Sequence, residues 1–536
     1  MDPKEFFTVV DWAVVFGYLL LTTLVGHFLS GKQSSIKDFF LAGRSLPWPA
    51  VSGSIIATEI SGVTFIGVPG MVYAAGGDFT YLQWGIGSII ARVLVGLYFV
   101  KAFYERDIYS PYDYMGNRLG IGVKKMATIL FQIGGILGQS VRVLVAALAL
   151  RVVTQLEFHH CIWIIGVFAI GWTLMGGMQT VIWTDVMQFF LFVGAAIFSL
   201  CWMLGGIAGG FNEMLSVAGE AEKLTLLNLS KDPAAGFTLW VAIIAVPFQN
   251  LSAFGVDQLN AQRMFCCKNE SDARKAIIAS SAALLITALM LLVGAAMYTY
   301  YHQIHVPESY AAFQAHIDSL EPGQRKDAYF PVWIVTELPH GLRALILAGI
   351  FAAAISSLDS ILAALSQTSF SLLRSPESTN HFLPKLSDLQ LSRMLVIVWG
   401  IGLSGFAILI NMIKEDINIV ELAFGMTSYT VGPMLGFFLA AFFTPKANLR
   451  GLATGFGLSF VLVMCIRTDI WNLFILLKVL TAEQVSNFTL LKLITSDVVG
   501  ESSKLGTVIH SSWAWPVTAL LTWGFGYFLR DKQAEN

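Results

Sequence analysis

The sequence predicts an all-α polytopic membrane protein, on three observations. Hydrophobic residues fill 56% of its 536 positions and charged residues only 13%, about half the charged share of an ordinary soluble domain. Apolar runs of about 20 residues, the length that crosses a bilayer as a helix, recur from end to end. Lys and Arg gather in the breaks between those runs, as loops of a multi-span chain require. In lipid each backbone amide and carbonyl must be satisfied within its own segment, so the runs read as helices. The 33 basic and 35 acidic residues nearly cancel, which leaves no field to attract nucleic acid. The expected surroundings are the lipid bilayer.

In chain order the apolar windows place spans at Trp12–Leu29, Pro47–Ala75, Phe79–Phe103, Lys125–Leu150, Cys161–Leu174 and Val181–Leu204. Seven more follow at Phe237–Leu259, Ala276–Tyr300, Leu342–Leu373, Met394–Ile413, Ile419–Phe443, Gly451–Cys465 and Trp513–Leu529. Thirteen spans put the termini on opposite sides. One alternating set of loops then holds nineteen Lys and Arg, including Lys101, Arg106, Lys268 and Arg274, and the other only twelve. The positive-inside rule therefore places the N-terminus outside the cell membrane and the C-terminus in the cytoplasm. The start, with Asp2 and Glu5 before the first run, lacks the basic region of a secretory signal, so the first helix is expected to remain. Cys161, Cys201, Cys266, Cys267 and Cys465 follow no metal or disulfide spacing and read as structural thiols. Asn228-Leu229-Ser230 and Asn487-Phe488-Thr489 fit the glycosylation pattern.

The second run is longer than one span and is interrupted by Ser61, Gly62, Thr64, Gly67, Pro69 and Gly70. It reads as a broken helix, whose freed carbonyls can coordinate sodium near the midplane. Pro247, Gln249, Asn250 and Ser252 mark a second candidate break five spans later, the offset that two inverted repeats produce.

Ionisable residues inside spans are expensive and are functional hypotheses by default. They are Glu59, Arg92, Arg142, Asp185 and Asp359. Two readings stay open for the arginines: either pairs with Glu59 to brace the bundle, or Arg142 meets a solute carboxylate through a bidentate fork. The ninth span carries Ala352-Ala353-Ala354-Ile355-Ser356-Ser357-Leu358-Asp359-Ser360. Small residues there serve close packing, and the serine oxygens equally suit an alkali cation. Every histidine lies in a loop or near a membrane edge, so no enzyme is expected. A transporter-like sensor that binds solute without flux is the alternative to a carrier, although the tail after Arg530 is too short for a signalling domain.

Four motifs then stand in order: Phe39-Phe40-Leu41-Ala42-Gly43-Arg44 with Ser45-Leu46-Pro47-Trp48; Gly176-Gly177-Met178-Gln179-Thr180-Val181-Ile182-Trp183-Thr184-Asp185 with Gln188; Asp257-Gln258 with Gln262-Arg263; and Ser356-Ser357-Leu358-Asp359-Ser360. From about Lys37 to Phe443 the chain resembles the sodium:solute symporter family, which includes sodium-galactose, sodium-proline, sodium-sialate and sodium-iodide carriers. The resemblance implies sodium-coupled symport of a small organic solute (a sugar, sialate, amino acid or carboxylate) by alternating access. It also implies one transmembrane domain with the leucine-transporter-type fold: a leading helix at 12–29, inverted five-helix repeats at 47–204 and 237–443, and trailing helices at 451–529. It implies a sodium ion held by the carbonyls of Ala57, Ile60 and Ala353 and the hydroxyls of Ser356 and Ser357, and in some members a second ion at Asp185. Solute positions of galactose-type members fall on Glu59, Thr64, Gln83 and Asn250, and only the last is unchanged. The gating tyrosine falls on Ala253 and a lysine on Leu284, so galactose is not the expected solute.

Overall fold

The computed structural model describes residues 7–29, 41–106, 108, 110–174, 178–303, 307–374, 386–413, 418–494 and 504–530, without the side chains of His27, Leu29, Ala352, Ala353, Ser356, Leu389, Ile494 and Lys504. Phe39, Phe40, Gly176 and Gly177 of the motifs lie outside the described residues.

Helices dominate. In chain order they include α1 (Val9–Leu29), α2 (Trp48–Glu59), α3 (Gly62–Tyr73), α4 (Trp84–Leu94, continuing to Tyr104), α5 (Ile121–Thr154), α6 (Phe158–Thr173), α7 (Met178–Gly206), α8 (Gln258–Phe265), α9 (Ala283–His302), α10 (Leu342–Leu373), α11 (Asp388–Ile413), α12 (Ile419–Thr427), α13 (Val431–Phe443), α14 (Leu449–Ile466) and α15 (Ala514–Phe528). Every predicted span overlies one of these or the Val241–Val256 segment. Among the described residues seven helices are long and apolar enough to cross a bilayer, or nine when two bent pairs each count as one span. The thirteen-span reading rests on the sequence for the other four, at Phe158–Thr173, Val241–Val256, Leu342–Leu373 and Ala514–Phe528.

The first predicted break is present. α2 stops at Glu59, α3 starts at Gly62, and the two axes bend by 53°. Ser61 caps α3 by accepting from the Val63 N–H, which satisfies one of the amides that a helix start leaves open. The second break takes another form: Val241–Ala245 and Ser252–Val256 are π-helical turns flanking Val246–Leu251, and the chain turns extended only at Asp257. Asp257 then caps α8 by accepting from the Leu259 N–H at 2.8 Å. A third break, α12 to α13 with a 40° bend, lay inside one predicted span.

Outside the spans the sequence reading missed helices at Pro111–Leu119, Gly210–Glu220, Tyr310–Asp318 and Pro322–Glu337, and a two-stranded sheet of β1 (Leu491–Ile494) and β2 (Lys504–Thr507). Small residues bring spans close: α3 packs on α9, where a Cβ on Gly294 would sit 2.8 Å from the Pro69 carbonyl oxygen. α2 packs on α7, and α10 lies against α2, α3, α5 and α8. The opening motif is pinned to the end of the third, the Leu46 N–H donating to the Cys266 carbonyl at 3.1 Å.

Candidate functional site

The break between α2 and α3 frees the two carbonyls assigned to sodium. In a continuous helix the Ser61 N–H would donate to Ala57 and the Thr64 N–H to Ile60. Here Ser61 donates to the Glu59 carbonyl at 2.9 Å and Thr64 to the Ser61 carbonyl at 3.0 Å. Ile60 itself turns out of the helical region, at φ -75 and ψ 75. α10 packs against both halves, and its Ser357 is 2% exposed. The two freed carbonyls and the buried hydroxyl of the helix packed on them are hard oxygen donors of the kind an alkali cation takes. The Ala353 and Ser356 side chains lie outside what is described, so the remainder of that ligand set rests on the sequence.

Asp185 is engaged elsewhere. Its Oδ2 accepts from Arg263 at 3.0 Å and from the Ser54 hydroxyl at 2.6 Å. Arg263 also donates to Ser54 at 2.9 Å, to Ser360 at 3.1 Å and to the Leu259 carbonyl at 2.8 Å. All of these side chains are buried. The second, third and fourth motifs thus meet in one ionic cluster, and the guanidinium supplies the positive charge that a second sodium would otherwise bring.

The structure chooses between the two candidate partners of Glu59. Arg92, fully buried, pairs with Glu59 and also donates to Ser88 and, at 3.1 Å, to Ser280. Its guanidinium carbon sits 4.1 Å from the centre of the Phe254 ring. Arg142 makes no such pair among the described residues, and its Nη1 is buried without a hydrogen-bond partner.

One cavity of about 240 Å³ has Glu59, Thr64, Arg142 and Asn250 from the sequence reading on its wall, whereas Arg92 is not on it. Ala253 and Leu284, the two altered family positions, also line it. Gln83 does not: its amide donates to the Thr80 and Phe237 carbonyls and accepts from the Asn228 N–H, so it braces the outer loop. Asn250 accepts from Ser88 at 2.9 Å and donates to Gln249 at 2.7 Å. Tyr81, Trp84 and Phe424 close one side, with Trp84 and Phe424 edge to face at 4.9 Å. Sequence reasoning missed Gln139 and Asn260 on the wall. The available signal was position: Gln139 lies three residues before Arg142 on α5, hence on the same helix face, and Asn260 lies in the first turn of the helix that Asp257 caps.

The family model of the sodium:solute symporter family matches residues 39–457. The chain is 27% identical to the sodium/sialic acid symporter SiaT of Proteus mirabilis, over 86% of this chain and 90% of that protein. It is 29% identical to human sodium-coupled monocarboxylate transporter 1, over 84% and 73%, and 26% identical to the human sodium/iodide cotransporter, over 83% and 68%. Among solved structures, the substrate-bound outward-open state of a sodium-coupled sialic acid symporter is similar, with a TM-score of 0.76 and 24% identity over 97% of each chain. Mhp1, a nucleobase-cation-symport-1 family transporter, gives 0.51 and 14% over 84% of this chain and 94% of its own. These two likenesses show the leucine-transporter-type fold. With a family match over most of its length, the chain belongs to the sodium:solute symporter family and is a sodium-coupled solute symporter.

Proposed function

We propose that the chain carries a small organic anion, and that Arg142 receives its carboxylate. The observation that carries the reading is the Arg142 guanidinium, which borders the cavity with Nη1 unpartnered while Arg92 and Arg263 are each held by a carboxylate. A buried guanidinium N–H without a hydrogen-bond partner favours a ligand that accepts from it, as a carboxylate does. The relatives support it, since sialic acid, monocarboxylate and iodide, the solutes their names print, are anions.

Sodium binds the carbonyls of Ala57 and Ile60 and the Ser357 hydroxyl, with Ala353 and Ser356 completing the set. It thereby fixes the angle between α2 and α3, which also sets Glu59 and Thr64 on the cavity wall. Ion and solute cross together as the two repeats at 47–204 and 237–443 rock about the site. The Asp185 carboxylate takes a second ion only if Arg263 withdraws from it. The N-terminus lies outside and the C-terminus inside, as the excess of Lys and Arg in one loop set directs.

The test is uptake into proteoliposomes of labelled sugars, sialate, amino acids, monocarboxylates and iodide under an inward sodium gradient. An anion is accumulated, and Arg142→Lys raises its half-saturating concentration about 10-fold or more, because Lys cannot reproduce a bidentate fork. Unchanged affinity in Arg142→Lys, or accumulation of neutral sugars alone, overturns the reading.

A further inference from the structure

We infer that the carried anion bears N–H or O–H donors beside its carboxylate, as a hydroxy or amino acid does, and that Gln139 and Asn260 accept from them. The inference rests on the anion reading above and goes beyond it to the class of anion.

Three polar atoms on the cavity wall are buried without a hydrogen-bond partner among the described residues: Arg142 Nη1, Gln139 Oε1 and Asn260 Oδ1. One is a donor and two are acceptors. Their neighbours on the wall do not leave the same demand, since Glu59 is taken by Arg92 and the Asn250 amide by Ser88 and Gln249. Gln139 stands one turn before Arg142 on α5, so its carbonyl oxygen and the guanidinium share a face about 5–6 Å apart at Cβ. The Asn260 amide is held by its other end, Nδ2 donating to the Ala253 carbonyl at 2.8 Å, which commits Oδ1 to the acceptor role. Asp257, one turn before Asn260, borders the same cavity and adds a further acceptor on that side.

A buried amide oxygen left unpaired in the complex opposes binding, and a site built to accept from a solute O–H or N–H discriminates against analogues that lack it. Iodide and an unsubstituted monocarboxylate satisfy Arg142 and leave both amide oxygens bare. A carboxylate with a neighbouring ammonium has donors enough for both oxygens, and one with a single neighbouring hydroxyl satisfies Arg142 and one of the two. The expected preference is roughly 10-fold or more for each donor supplied.

The experiment records sodium-driven currents on supported membranes carrying the full-length protein, with matched solutes: propionate, lactate and alanine; hexanoate and gluconate; sialate; and iodide. The donor-bearing members are expected to half-saturate at concentrations at least about 10-fold below their plain counterparts, or to be the only ones that drive current. Lactate against alanine tells hydroxyl from ammonium. In Gln139→Met the preference collapses, and in Gln139→Asn, which keeps a neutral amide acceptor, part of it survives. Because Asn260→Leu also releases the Ala253 carbonyl, Asn260→Asp serves as its companion, keeping an acceptor oxygen. Equal half-saturation of propionate and lactate, with both dependent on Arg142, overturns this inference and leaves the anion reading standing. Currents that Arg142→Lys leaves unchanged overturn both.

Discussion

Replacing Glu59 by Gln removes the only carboxylate that contacts Arg92 among the described residues. Arg92 is fully buried, whereas the Glu59 side chain keeps 29% of its exposure at the cavity. Breaking a buried pair from one side costs about 3–5 kcal/mol when the remaining charge is stranded. Here the stranded guanidinium keeps Ser88 and Ser280 and the face of Phe254, a cation–π contact of about 1–2 kcal/mol when desolvated. The expected loss is therefore at the low end, about 2–3 kcal/mol. Arg92→Met strands the acid instead, and Glu59 rehydrates through the cavity, so that loss is smaller, about 1 kcal/mol. In the double variant no charge is stranded, and the cycle gives a coupling of roughly 2 kcal/mol. Unfolding in mixed micelles of mild detergent and dodecyl sulfate, followed by far-ultraviolet circular dichroism, reads these differences. A Glu59→Gln protein within about 0.5 kcal/mol of the parent, or a double variant as unstable as the two single ones summed, would refute the account of this pair as a brace.

Further tests address other parts of the chain. Ser357→Ala removes one neutral oxygen from the proposed ion site, worth about 1 kcal/mol, and is expected to raise the half-saturating sodium concentration about 5-fold; an unshifted sodium titration contradicts the assignment. Gly294→Ala places a Cβ 2.8 Å from the Pro69 carbonyl oxygen and 2.8 Å from Val72 Cβ, and overpacking of that kind is expected to destabilise by about 1–3 kcal/mol in the same micelle assay. His510, outside the spans, is pushed down to about 4 by burial and by the nearby Arg467 guanidinium, and its Nδ1 accepts from the Ser512 N–H at 3.3 Å. The unfolded chain protonates this ring below about 6.5 and the folded one does not until about 4, so stability falls as pH drops through that window, by at most about 1.4 kcal/mol per pH unit. A His510→Gln variant is expected to flatten that dependence in thermal unfolding between pH 7 and pH 4.

Composition and periodicity made the helical membrane architecture legible, and Ser61, Gly62 and Pro69 located the break that frees the Ala57 and Ile60 carbonyls. The π-helical turns around Pro247 were not legible, because a π-turn needs one extra residue per turn and leaves no compositional mark. Nor was the partner of Glu59, since two arginines on different spans compete for it and only packing decides between them. The motif serines and Asp185 were legible as polar residues in lipid, but Arg263 sits after a polar turn and reads as a loop cation. Its burial against Asp185, Ser54 and Ser360 comes from three spans far apart in sequence. The surroundings of Gln83 were not legible either: the family resemblance put it at a solute position, while its amide bonds the backbone at Thr80, Phe237 and Asn228.

The central claim is that ion and anion share one transport step. By linkage, sodium must tighten anion binding by the same factor that the anion tightens sodium binding. The direct measurement is equilibrium binding of the accumulated anion to the purified protein across a sodium series, paired with sodium binding across an anion series, with potassium as the replacement ion throughout. The account predicts equal coupling factors above one in sodium and no tightening in potassium. Anion affinity that is the same in sodium and potassium would contradict it.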